Sequence, residues 1–196
     1  VQVDERRRRL LTLPTSLAAL GALGVFGLHG AALAAGITVR SAHIEPGDEG
    51  WVLDASFVPD LGSTLIEAVE HGVALYFVIE VELRRKRWYW FDEHAVETQI
   101  PIRLTYNALT RQYRVMFGGG PLAQRFDDVG EAALSIGRVH GWKIADRGAL
   151  KSGANYQLSV RMRLDIQQLP RPFQVSAITN RDWALESDWL RVQVTA

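Results

Sequence analysis

The sequence predicts a mainly β fold, an antiparallel β-sandwich-like domain with two short helices. Three observations predict it. First, Val73, Leu75, Phe77, Ile79, Val81 and Leu83 alternate with Tyr76, Glu80, Glu82 and Arg84, the period-two pattern of a strand with one wet face. The same alternation returns at residues 96–106, 112–117 and 156–166. Second, turn-forming stretches such as residues 45–50 (EPGDEG) and 107–110 (NALT) separate these runs, so neighbouring strands pair mainly antiparallel. Third, the regular strand–helix alternation of a doubly wound sheet is missing.

The elements follow in order. Residues 37–44 read as a strand, and after the 45–50 turn Trp51, Leu53, Ala55 and Phe57 share one strand face, with Asp54 and Ser56 opposite. Leu61, Leu65, Ala68 and Val69 form the stripe of a first helix, opened by Gly62 or Ser63 and closed by His71 and Gly72. The strand from 73 onward meets Arg84, Arg85, Lys86 and Arg87, an end or a bulge, before Trp88, Tyr89, Trp90 and Phe91 resume the alternation. Residues 92–94 read as a turn. Ile100, Ile102, Leu104 and Tyr106 point inward from the next strand, in which Pro101 marks an edge position or a bulge. Asn107 can hold the following turn with its own side chain, and Tyr113, Val115 and Phe117 align on the returning strand. The run Gly118, Gly119, Gly120, Pro121 breaks it.

A second helix is predicted over 126–140, capped by Asp127 or Asp128, with Val129, Ala132, Ala133, Ile136 and Val139 buried. A brief strand covers 142–145. Leu158, Val160, Met162, Leu164 and Ile166 then face inward from a strand whose other side carries Ser159, Arg161, Arg163 and Asp165. Pro170 and Pro172 predict loop or extended chain at 169–172, and 189–194 forms a last strand. The total is seven to nine strands.

The first 35 residues differ from the rest. Arg6 to Arg9 precede an uncharged, Leu/Ala/Gly-rich run that ends in Ala32, Leu33, Ala34. This is the n-region, h-region and small-residue site of a secretory signal, and the alternative is an uncleaved membrane anchor. Residues 36–196 then form a single β-rich domain in the periplasm, free or tethered to the inner membrane. Setting the leader aside removes four arginines, Asp4 and Glu5, and leaves 18 basic and 20 acidic residues. A nucleic-acid binder would show a basic surplus, so nucleic acid is not an expected partner. With no cysteine, disulfides, thiol catalysis and thiolate metal sites are excluded.

Several segments resemble one known family. They are residues 51–57 (WVLDASF), 87–90 (RWYW), 104–113 (LTYNALTRQY) and 163–174 (RLDIQQLPRPFQ), with Trp183 and Trp189 near the end. The chain is similar over most of 37–195 to DUF4390, a proteobacterial family of exported proteins of unknown function. The resemblance implies a leader segment. Genes of that family are reported beside those of a nitrogen-regulation-type sensor kinase and an RNA methyltransferase, which implies a signalling link. It implies no catalytic residue.

The residues themselves offer three clusters. Arg84, Arg85, Lys86 and Arg87 with Trp88, Tyr89 and Trp90 combine cations and aromatic faces, a mixture suited to a protein interface, an anionic headgroup or a glycan. The same pattern also fits alternate aromatics in the core beside an exposed charged turn. Arg111 and Tyr113 flank the 107–110 turn, and Arg111 can bind a carboxylate, either a ligand's or Asp54's. Arg161, Arg163 and Asp165 can pair across strands with Glu80 and Glu82, a solvated sheet surface. The candidate interaction surface is therefore Arg84, Arg85, Arg87, Trp88, Trp90, Arg111 and Tyr113.

Catalytic, cofactor and metal signals are weak. His43, His71, His94 and His140 lack metal-ligand spacing, and the best hint is His94 beside Asp92 and Glu93. The glycine run lacks the lysine of a phosphate loop, and no G-x-S-x-G occurs. The leading expectation is a non-catalytic, protein-binding or sensor-associated module of the envelope, with no cofactor. An envelope protein is its expected partner, a sensor kinase among the candidates, and the N-terminal segment its route to the membrane. One alternative is a carrier of an apolar ligand in a cavity lined by Tyr76, Trp90 and Tyr106. Another is a hydrolase using carboxylates or a histidine.

Overall fold

The computed structural model describes residues 36–85 and 93–196. The predicted leader or anchor lies outside these residues, as do Arg87, Trp88 and Trp90. Among the described residues no helix is long and apolar enough to cross a membrane. The strands are β1 (Ile37–Pro46), β2 (Gly50–Pro59), β3 (Leu75–Arg85), β4 (Glu93–Asn107), β5 (Gln112–Phe117), β6 (Ala123–Phe126), β7 (Arg138–Asp146), β8 (Asn155–Leu164) and β9 (Leu190–Thr195). The helices are α1 (Gly62–Glu70), α2 (Val129–Ile136) and α3 (Arg171–Thr179).

Two antiparallel sheets result. One has the order β1-β2-β7, the other β6-β5-β4-β3-β8-β9. Leu53 and Phe57 from the first sheet bury their side chains in one core with Phe77, Ile79, Leu83, Ile102, Leu104, Leu158 and Met162 from the second. Period-two alternation makes this possible, because every second side chain of β3 and β8 points to the same side. The predicted antiparallel, sandwich-like β fold is the observed one. Leu65 and Val69 of α1, and Ala132 and Ile136 of α2, close the core. Asp128 caps α2 by accepting a hydrogen bond from the Glu131 N–H, 3.0 Å away.

Pro101 sits where the sequence allows a proline. Its carbonyl accepts from the Gly118 N–H at 2.8 Å, just past the end of β5, and β4 pairs with β5 only from Ile102 onward. In a strand the N–H and C=O of one residue point the same way, so the missing N–H faces the side where the β5 ladder has ended.

The structure corrects three boundaries. A third helix, α3, begins at Arg171, where two prolines suggested loop. Pro172 lies in its first turn, where a proline's missing N–H has no helical acceptor to lose. The second helix is shorter than predicted. Phe126 belongs to β6 and Val139 to β7, because the chain turns at Gly137 onto β2. Glu93 and His94 are strand residues paired with Arg85 and Arg84, not a turn.

Candidate functional site

The predicted interaction residues do not form one surface among the described residues. Arg84 lies on the outer face of β3, with Nη2 2.7 Å from Glu82 Oε2. Arg85 ends the described part of that strand. Arg87, Trp88 and Trp90 are outside the described residues. Arg111 is exposed in the β4–β5 turn, in left-handed backbone at φ 54°. Asn107 holds that turn by accepting from the Leu109 and Thr110 N–H groups. Tyr113 is not on an open surface. It is 5% exposed, packs at a tilt against Tyr106 with ring centres 4.9 Å apart, and donates its hydroxyl hydrogen to Glu70 Oε1 at 2.5 Å. Burial and the Glu70 carboxylate push its hydroxyl well above the ordinary tyrosine value.

Asp54 also has partners other than Arg111. It lies on the first sheet, opposite a bulge in β7, and accepts from the Gly141 N–H at 2.9 Å. His140 Nδ1 stands 3.0 Å from Oδ1, and His43 Nε2 stands 3.4 Å from Oδ2. The Gly141 hydrogen bond, followed by the histidines, holds this carboxyl below its usual range. Asp54 thus orients His140, as a general base requires. Yet His140 is 84% exposed, and the nearby hydroxyl of Ser135 donates to Gln124 Oε1 at 2.7 Å. Among the described residues no three His, Asp or Glu side chains converge as a metal site.

The outer face of the six-stranded sheet pairs its charges as the alternation predicts. Glu80 accepts from Arg161 Nε and, at 2.9 Å, from Arg163 Nε. Burial pushes the Glu80 carboxyl up, but the two arginines outweigh it and hold it below the ordinary value. Glu82 pairs with Arg84 rather than with β8. Arg161 also lies 4.6 Å from the centre of the Trp189 ring.

An apolar concavity lies elsewhere. A cleft of about 750 Å³ opens between β7 and the strands β4, β5 and β6, with α2 as a third wall. Ile100, Phe117, Phe126, Leu134, Val139 and Trp142 make its apolar lining, and Glu131 and Arg138 carry its charges, with the His140 ring beside them. Two strand edges that lack a strand partner among the described residues frame it. Among those residues β7 is an edge strand, bonded only to β2. Residues 93–100 of β4 pair with β3 on one side and have no strand partner on the other among the described residues.

None of the cleft residues was on the predicted interaction surface. The usable signals were Leu134, an apolar residue off the buried stripe of its helix, and the apolar Trp142 between His140 and Lys143. The cavity expected around Tyr76, Trp90 and Tyr106 is not where the cleft lies. Tyr76 faces outward with Arg103 5.6 Å from its ring centre, Tyr106 packs on Tyr113, and Trp90 is outside the described residues.

No curated protein and no solved structure matches the chain. One family model does, described as a domain of unknown function, and it covers residues 34–193. The chain therefore belongs to the DUF4390 family.

Proposed function

We propose that this protein is a non-catalytic binding module of the bacterial envelope, and that its cleft holds an extended segment of a partner protein by strand addition. One observation carries the reading. The apolar cleft is framed by two strand edges, β7 and residues 93–100 of β4, whose outward N–H and C=O groups have no strand partner among the described residues. An added strand would satisfy those groups, and its alternate side chains would enter the cleft, the usual division between affinity and specificity in β-augmentation. Six apolar lining residues suit alternating apolar side chains in the partner. Arg138 at the rim favours an acidic residue beside it.

Export and the partner class rest on the leader pattern and the family resemblance, so an envelope sensor kinase is the first partner to test. The test is capture from envelope extract with the full chain. Leu134 is 43% exposed in the cleft wall, so Leu134→Asp places a charge there at little cost to the core. We expect proteins retained by the wild type to be lost with Leu134→Asp and kept with Arg87→Ala/Trp88→Ala. The reverse pattern would move the interface to the 84–90 segment. Recovery of a lipid or small amphiphile, with no protein dependent on Leu134, would favour the carrier reading instead.

A further inference from the structure

The reverse side of the cleft-forming strands carries an unbalanced charge pattern. Arg114 on β5 stands directly opposite Arg125 on β6. Arg103 on β4 pairs with Met116, one position along the same face. Directly opposed residues on neighbouring strands have Cβ atoms about 5 Å apart, and like charges there destabilise the sheet. Elsewhere on this face Glu80 lies between Arg161 and Arg163, and Glu82 pairs with Arg84. Among the described residues no carboxylate pairs with Arg103, Arg114 or Arg125, and Arg103 has only the Tyr76 ring. The Arg114 Nε is buried without a hydrogen-bond acceptor, as is the Nε of Arg84, whose Nη2 reaches Glu82; among the described residues Arg114 has no carboxylate on its other nitrogens. The neighbouring carboxylate, Asp127, accepts instead from Gln112 Nε2 at 3.0 Å.

We propose that Arg103, Arg114 and Arg125 form a binding site for a phosphate-class oxyanion, either a free phosphate or the phosphate of a lipid headgroup. Guanidinium groups offer paired donors that match phosphate oxygens, and an anion between Arg114 and Arg125 would turn their repulsion into a shared attraction. A phosphate dianion balances this row better than a single carboxylate, because it brings more acceptor oxygens and more charge. The site lies on the opposite side of β5 and β6 from the cleft and does not depend on the cleft's role.

The experiment uses the full chain and a charge reversal. Arg125→Glu places a carboxylate opposite Arg114, so the unliganded fold should keep or gain stability in chloride buffer. In the wild type, inorganic phosphate should raise the unfolding temperature above that in chloride at equal ionic strength. In a second arm, wild type should float with phosphatidylglycerol vesicles more than with phosphatidylcholine vesicles. Arg125→Glu and Arg114→Gln should weaken whichever response is seen by about tenfold or more. A phosphate response alone assigns the site to a soluble ion, and an arginine-dependent vesicle difference assigns it to a headgroup. No response in either arm overturns the proposal, as does a response unchanged in both variants. Equal binding of a polyglutamate peptide would also overturn it, because the row would then be a general cationic surface.

Discussion

Gly137 and Phe57 meet backbone to backbone. The Phe57 N–H donates to the Gly137 carbonyl oxygen at 2.8 Å, and a Cβ on Gly137 would stand 2.1 Å from the carbonyl oxygen of Phe57. This contact ends α2, turns the chain into β7 and so sets one wall of the cleft. Gly137 has ordinary helical backbone angles, so space rather than conformation demands the glycine here.

Gly137→Ala should therefore destabilise the protein by about 3 kcal/mol, the range of overpacking where a backbone must shift. At an unobstructed site the same change would stabilise by up to about 1 kcal/mol. Urea unfolding decides between the two signs.

Tyr113→Phe removes the hydroxyl that ties β5 to Glu70 at the end of α1. Glu70 is exposed and regains water, so the loss should be about 1 kcal/mol. The raised pKa of Tyr113 adds a signature. The folded-state value lies above the unfolded one, so this contribution is complete below the ordinary tyrosine value and is lost as pH rises through the folded-state value. Absorbance titration near 295 nm should show one tyrosine of the wild type ionising only as the fold opens, and Tyr113→Phe should lack that step.

Acid should weaken the domain through Glu80 and Asp54. Both carboxyls lie below their ordinary values of 4.5 and 3.8, so their charged forms favour the folded state. Their stabilisation is present above those ordinary values and disappears as pH falls through the lower folded-state values. Glu80→Gln should cost about 2 kcal/mol at neutral pH, because two arginines lose a charged acceptor. The gap between Glu80→Gln and wild type should close as pH drops below 4.5, as denaturant titrations at several pH values would show.

The sheets were legible in the sequence because their signal is local. One-sided burial writes itself into every second residue, so β5 and β8 and the start of β3 lie within about two residues of where alternation puts them, and the β5 bounds coincide with the prediction. Glu80 between Arg161 and Arg163 was legible for the same reason, since all three lie on the polar parity of neighbouring strands. The end of α2 was hidden, because the reason for it is Phe57, 80 positions earlier in the chain. The start of α3 was misread because proline reads as a breaker unless the first turn of a helix is already known to lie there. The cleft was illegible because it is made where a sheet edge and a helix stand apart. Ile100, Phe117 and Val139 carry the same apolar signature as core residues, and only the packing shows that their space is left open. Of the two carboxylates offered for Arg111, Asp54 is taken by Gly141 and His140, because the bulge that brings them to it leaves no mark on the alternation.

The most direct test of the binding account is hydrogen exchange on the full chain, alone and with the protein partner captured through the cleft. Strand addition protects the outward-pointing amides of β7 (residues 138–146) or of residues 93–100 in β4, every second position along the edge, while the already paired amides of β3 and β8 stay unchanged. If those edges exchange equally fast with and without the partner, and protection falls only at residues 84–90, the cleft is not the docking site and the account is wrong.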